Sequence, residues 1–106
     1  MSEQEKQVMA IIAGSGDSKA KAFAALQKVK ENKYEEAKDL LKQSREADIV
    51  AHQTQTNLIQ AQFQEDVESP IVNLLMVHAQ DHYMCAQLAR DLIEMLVDVF
   101  EAKEEK

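Results

Sequence analysis

A chain of 106 residues with two glycines and one proline has almost no material for tight turns. Nearly all of it must lie in a few long regular elements. No stretch alternates apolar and polar residues with the period of a strand, so those elements are helices. Apolar residues recur at helical spacing through Val8, Ile11, Ile12, Ala22, Phe23, Leu26 and Val29. A second set follows at Tyr34, Ala37, Leu40, Leu41, Leu58, Ile59 and Phe63. The few breakers divide the chain into three helices of about residues 3–30, 33–64 and 70–103.

Gly14, Ser15 and Gly16 interrupt the first helix, which is either one kinked rod or two segments restarting at Asp17 or Ser18. Asn32 with Glu35 three residues on gives the second helix a capping-box-like start. Ser69 before Pro70 gives the third an N-cap with proline at the first helical position. The tail EAKEEK is expected to fray into solvent. Helices of this size are about 45 Å long, and short connections set neighbours antiparallel. The expected fold is all-α: a single domain, 1–106, forming an up-down-up three-helix bundle. Counting outward from the turns brings Gly14, Gly16, His52 and His82 to similar heights.

Nineteen acidic against twelve basic residues leave a formal net charge of −7. That argues against nucleic acid, which demands a basic stripe, and against an anionic membrane surface. The single cysteine, Cys85, precludes an intramolecular disulfide. No run approaches the ~18 apolar residues of a membrane span, and MSEQEKQ lacks the pattern of a signal peptide. A soluble, cytoplasmic chain is expected.

The third helix carries an anomaly. One row of its seven-residue register reads Ile71, His78, Cys85, Leu92, Val99, and the companion row holds Leu74, Asp81, His82, Leu88 and Met95. Two adjacent turns of an otherwise apolar stripe thus hold His78, Asp81 and His82, which share one helix face. A carboxylate in a packed seam is costly unless it is paired, protonated or metal-bound, and clusters of ionisable groups mark sites. The pattern is not the His-Glu-x-x-His of zinc proteases. Spacing alone leaves two readings open: a metal held by the two histidines and the aspartate, or a histidine nucleophile that attacks phosphorus. A coiled-coil adaptor, whose polar residues only set register, is a further alternative. His52 reads as a structural hydrogen-bonder and Cys85 as a small apolar core residue.

The segment Val77-His78-Ala79-Gln80-Asp81-His82-Tyr83-Met84 resembles the signature of the lactose/cellobiose family of enzyme IIA proteins of the sugar phosphotransferase system. The similarity extends to Ile11-Ile12-Ala13-Gly14-Ser15-Gly16, to Ala51-His52-Gln53-Thr54-Gln55-Thr56 and to Leu88-Ala89-Arg90-Asp91-Leu92. The resemblance implies a homotrimer of nine helices, phosphorylation of His78 by the phosphocarrier HPr, and onward transfer to a cysteine of enzyme IIB. It matches Asp81 to a metal-binding aspartate shared on the trimer axis, where carboxylates alone favour one Mg²⁺ or a similar divalent cation per trimer. His82 then becomes a candidate stabiliser of the phosphate. Gln80, pointing away from His78 on its own helix, is a candidate only from the neighbouring subunit. Tyr83 stands where leucine is more typical, Cys85-Ala86 replaces a threonine-containing pair, and Ala79 resembles the cellobiose/chitobiose branch.

Overall fold

The structure, a computed structural model, describes residues 1–104. Three helices, α1 (Glu3–Lys30), α2 (Tyr34–Ala61) and α3 (Leu74–Glu104), run up, down and up in a rod of 58 × 24 × 19 Å. The described residues contain no strand, and no helix among them is long and apolar enough to cross a membrane. The last helix continues through residues 101–104 instead of fraying there; the final two residues of the expected fraying tail lie outside the described residues.

α1 is one unbroken helix, so Gly14 and Gly16 neither kink nor divide it. Gly14 sits where α2 crosses: a Cβ there would stand 3.1 Å from both the Ala47 carbonyl oxygen and the Ala51 Cβ. Its role is close approach, the one use of glycine that offsets its poor helix propensity. A capping box does form, but at Ser2 and Glu5 rather than at Asn32 and Glu35. Asn32 instead takes a left-handed backbone conformation (φ 60°), which closes the first turn, and α2 starts at Tyr34 without a side-chain cap.

The second connection is longer than expected. α2 ends at Ala61, and α3 begins at Leu74 rather than at Pro70. Asn73, not Ser69, supplies the cap: its Oδ1 accepts from the Met76 backbone N–H at 2.9 Å. The Gln4 side chain of α1 pins the preceding segment, donating to the Ile71 carbonyl at 2.7 Å and accepting from the Ile71 N–H at 2.8 Å. Two backbone groups that a helix starting at Pro70 would have used are thereby satisfied from another element.

The core falls into two clusters. One, near the second connection, holds Val8, Ile11, Ala51, Leu58, Met76, Ala79 and Tyr83. The other holds Ala22, Ala25, Val29, Ala37, Leu41, Ile93 and Val97. Buried Ser18, Ser44, Asp48 and Arg90 are polar residues outside both clusters. Ser44 donates to the Ser18 carbonyl at 2.7 Å and shares a 2.9 Å hydrogen bond with the Ser18 hydroxyl. Arg90 and Asp48 pair at 3.0 Å.

Candidate functional site

The α3 residues that meet the other helices are Met76, Ala79, Tyr83, Ala86, Arg90, Ile93 and Val97, spaced by threes and fours. The stripe that carries His78 is a different one, on the far side of the helix. Leu74, His78, Asp81, Cys85, Leu88, Leu92, Met95 and Val99 are all exposed, while Ile71, which the register places on the same row, lies before the helix. The apolar seam read from the register is therefore not the chain's own core, and Cys85 is an exposed thiol rather than a core residue.

Within that stripe the three ionisable residues stand together. The rings of His78 and His82 meet edge to face, their centroids 4.4 Å apart at 74°. Asp81, one turn from Cys85, accepts a weak hydrogen bond from its thiol at 3.6 Å. The start of α3 at Leu74 puts His78 about one turn from the helix N-terminus instead of two, at the limit of the dipole's reach. Among the described residues no three His, Cys, Asp or Glu side chains are placed to hold a metal within one chain. The intrachain metal reading of His78, Asp81 and His82 therefore has no support in the fold.

Gln80 and His52 are not brought to His78. Gln80 is half-buried, with its amide against the Met76 sulfur at 3.7 Å, in a small groove that α3 shares with Leu58 and Ile59 of α2. His52 bonds through Nδ1 to the Tyr83 hydroxyl across the α2–α3 boundary. It is the structural hydrogen-bonder expected, and its height matches the count from the turns. Tyr83 itself is buried, and burial followed by the Asp48 carboxylate pushes its phenol above the ordinary value.

The Asp48–Arg90 pair was not found from the sequence. Its signal was present: Arg90 lies seven residues after Tyr83, on the row that proves to be the core face. α3 is apolar on two sides, and the register reading followed only one of them. A further feature bears on the chemistry. No lysine or arginine occurs from Glu46 to Ala89, the stretch that holds the whole cluster.

Comparison with known proteins bears on what such a face is for. Residues 6–101 match the family described as the lactose/cellobiose-specific IIA subunit of PTS systems. The N,N'-diacetylchitobiose-specific EIIA component of Escherichia coli (strain K12) is 41% identical over 99 residues, spanning 93% of this chain and 84% of the relative. The cellobiose-specific enzyme IIA from Bacillus anthracis superposes with a TM-score of 0.91 at 33% identity, covering 100% of this chain and 95% of the other. The chitobiose IIA solved in solution as a complex with HPr gives a TM-score of 0.82 at 38% identity, covering 98% and 99% of the two chains. This chain belongs to the lactose/cellobiose-specific IIA family of the sugar phosphotransferase system.

Proposed function

We propose that the chain is a cytoplasmic phosphoryl carrier. His78 takes a phosphoryl group from HPr and passes it to a cysteine of enzyme IIB, serving uptake of a β-linked disaccharide of the cellobiose, chitobiose or lactose type. The observation that carries this reading is His78 itself: an accessible imidazole within His-Ala-Gln-Asp-His, in a chain of this family. A chitobiose-branch relative solved with HPr bound supports HPr as the donor.

The chemistry follows from the imidazole. The lone pair at Nε2, the nitrogen the family resemblance implies, attacks phosphorus on the donor phosphohistidine. A new N–P bond forms as the donor's N–P bond breaks, and its electron pair returns to the donor ring. In the second step a thiolate of enzyme IIB attacks the same phosphorus, and the pair of the breaking bond returns to His78. His82, whose ring meets that of His78 in a T-shaped contact, donates a hydrogen bond to a phosphoryl oxygen in this reading.

The reading includes a homotrimer of nine helices. An apolar face as long as that of α3 is more than a monomer ordinarily leaves to water. With that face on a threefold axis, one Asp81 from each copy meets the other two, and Gln80 of a neighbour comes within reach of the His78 edge. One exposed carboxylate per chain fits a shared hard cation such as Mg²⁺, which when bound offsets the three negative charges.

The test is incubation with phosphoenolpyruvate, enzyme I and HPr, followed by mass spectrometry. The wild type should gain one acid-labile phosphoryl group and His78→Ala none. A phosphoryl group that persists in the variant would sink the assignment.

A further inference from the structure

Between α2 and α3 lies a groove of about 760 Å³. Asp48 and Arg90 line it, and Asp48 Oδ1 and Arg90 Nε are buried there without a hydrogen-bond partner. His52 stands in the same groove, its ring oriented by the bond from Nδ1 to Tyr83. Within one chain the groove does not serve His78. Tyr83 lies on the buried face of α3, and five residues of helix carry His78 roughly 140° around from it.

In the homotrimer proposed above, a threefold axis along the exposed face of α3 changes the relation. Rotation about an axis parallel to the helix keeps every residue at its own height. It turns one edge of each α3 toward the opposite edge of the next, as a heterologous contact that closes a ring. His78 and His82 lie on one edge of the exposed face. Val77, Gln80 and Met84 lie on the other, where Val77 and Gln80 already border α2. His78 of each copy therefore faces the α2 side of its neighbour. His52 is the only ionisable side chain of α2 beyond Asp48.

Two independent observations agree. Ile49, Ile59, Val77 and Met84 stand exposed around this side of the chain, an apolar rim that a second copy would cover. The stretch from Glu46 to Ala89 holds no lysine or arginine, and of the cations that share the groove with His52, Lys42, Arg45 and Arg90, the two arginines are already paired with Glu94 and Asp48.

We propose that His52 belongs to the site of the next copy, where its Nε2–H donates to the phosphoryl group carried by that copy's His78. With the phenol of Tyr83 donating to Nδ1, the ring proton of His52 sits on Nε2, the nitrogen left free for the phosphoryl group. The inference rests on the phosphocarrier and homotrimer readings and adds one donor, supplied in trans.

Mixed trimers test it, purified through different tags on the two chains. His52→Ala homotrimers should take phosphoryl from phosphorylated HPr roughly tenfold or more slowly than wild type, and His52→Gln, which keeps a donor, should recover part of the rate. His78→Ala chains take none. Mixed with His52→Ala chains, they should restore fast labelling, because the surviving His78 then faces an intact His52. A His52→Ala homotrimer as fast as wild type overturns the inference, as does a mixed trimer no faster than that homotrimer, or a chain that is monomeric in solution. If His78 of the wild type is labelled and these results still appear, the phosphocarrier reading stands and only the donor in trans falls. If the wild type is never labelled, both fall.

Discussion

Leu92 and Ile93 are neighbours in sequence and belong to opposite worlds. Leu92 is 52% exposed and Ile93 3%. They lie on the two apolar faces of α3, one turned to α1 and α2 and the other to solvent. Each face is interrupted by charge. On the buried face Arg90 meets Asp48 of α2 at 3.0 Å, and the interruption is answered inside the chain. On the exposed face His78 meets His82 and Asp81 meets Cys85, with no counter-charge from α1 or α2 among the described residues. An ionisable group buried within a chain must be paired there, because desolvation penalises it at once. One on an exposed apolar face awaits its partners from outside, and that is where chemistry with other proteins can take place.

A charge placed on each face in turn separates assembly from folding. Leu92→Glu should dissolve the proposed homotrimer into single chains, measured by sedimentation, while helical circular dichroism stays unchanged. Ile93→Glu should unfold the chain itself. The same measurement sharpens the role of Asp81. Chelation by EDTA should weaken the wild-type assembly, whereas Asp81→Leu, which removes the mutual repulsion, should leave an assembly indifferent to chelation.

The next effect concerns the buried interruption. Arg90→Ala leaves Asp48 in the core without its counter-charge and should cost about 3–5 kcal/mol in urea denaturation. Replacing both partners, Asp48→Leu with Arg90→Met, should return most of that stability. If Arg90→Ala alone were harmless, the pair would not be the structural answer to the charge.

The smallest effect is at Tyr83. Burial holds its phenol pKa above the ordinary 10.0. The folded chain therefore keeps that proton more tightly than the unfolded one. The associated stability is present below about pH 10 and is lost as pH rises through the folded value. Tyr83→Phe should flatten this alkaline decline, and it should cost about 1 kcal/mol at neutral pH through the lost bond to His52. Denaturation curves from neutral to strongly alkaline pH would show both.

The scarcity of turn formers dictated helices, and the helical spacing of apolar residues gave their number and their order. The cluster at His78, Asp81 and His82 was legible because i, i+3 and i+4 fall on one face of any helix, whatever surrounds it. Boundaries were less so. Pro70 reads as a helix start, yet Gln4 from α1 captures the backbone of Ile71, and Asn73 takes over the cap. Gly14 reads as a break, yet α2 presses against it and makes it a contact.

The order of residues settles local matters: which of them are helical, and which share a face. Which of the two apolar faces of α3 turns inward is settled by packing against α1 and α2. Both faces are apolar enough to be buried, and α1 and α2 can cover only one. The face that turned in carries Met76, Ala79, Tyr83, Ala86, Ile93 and Val97, and its one charge, Arg90, finds Asp48 opposite it across the bundle. The face carrying His78 stays exposed.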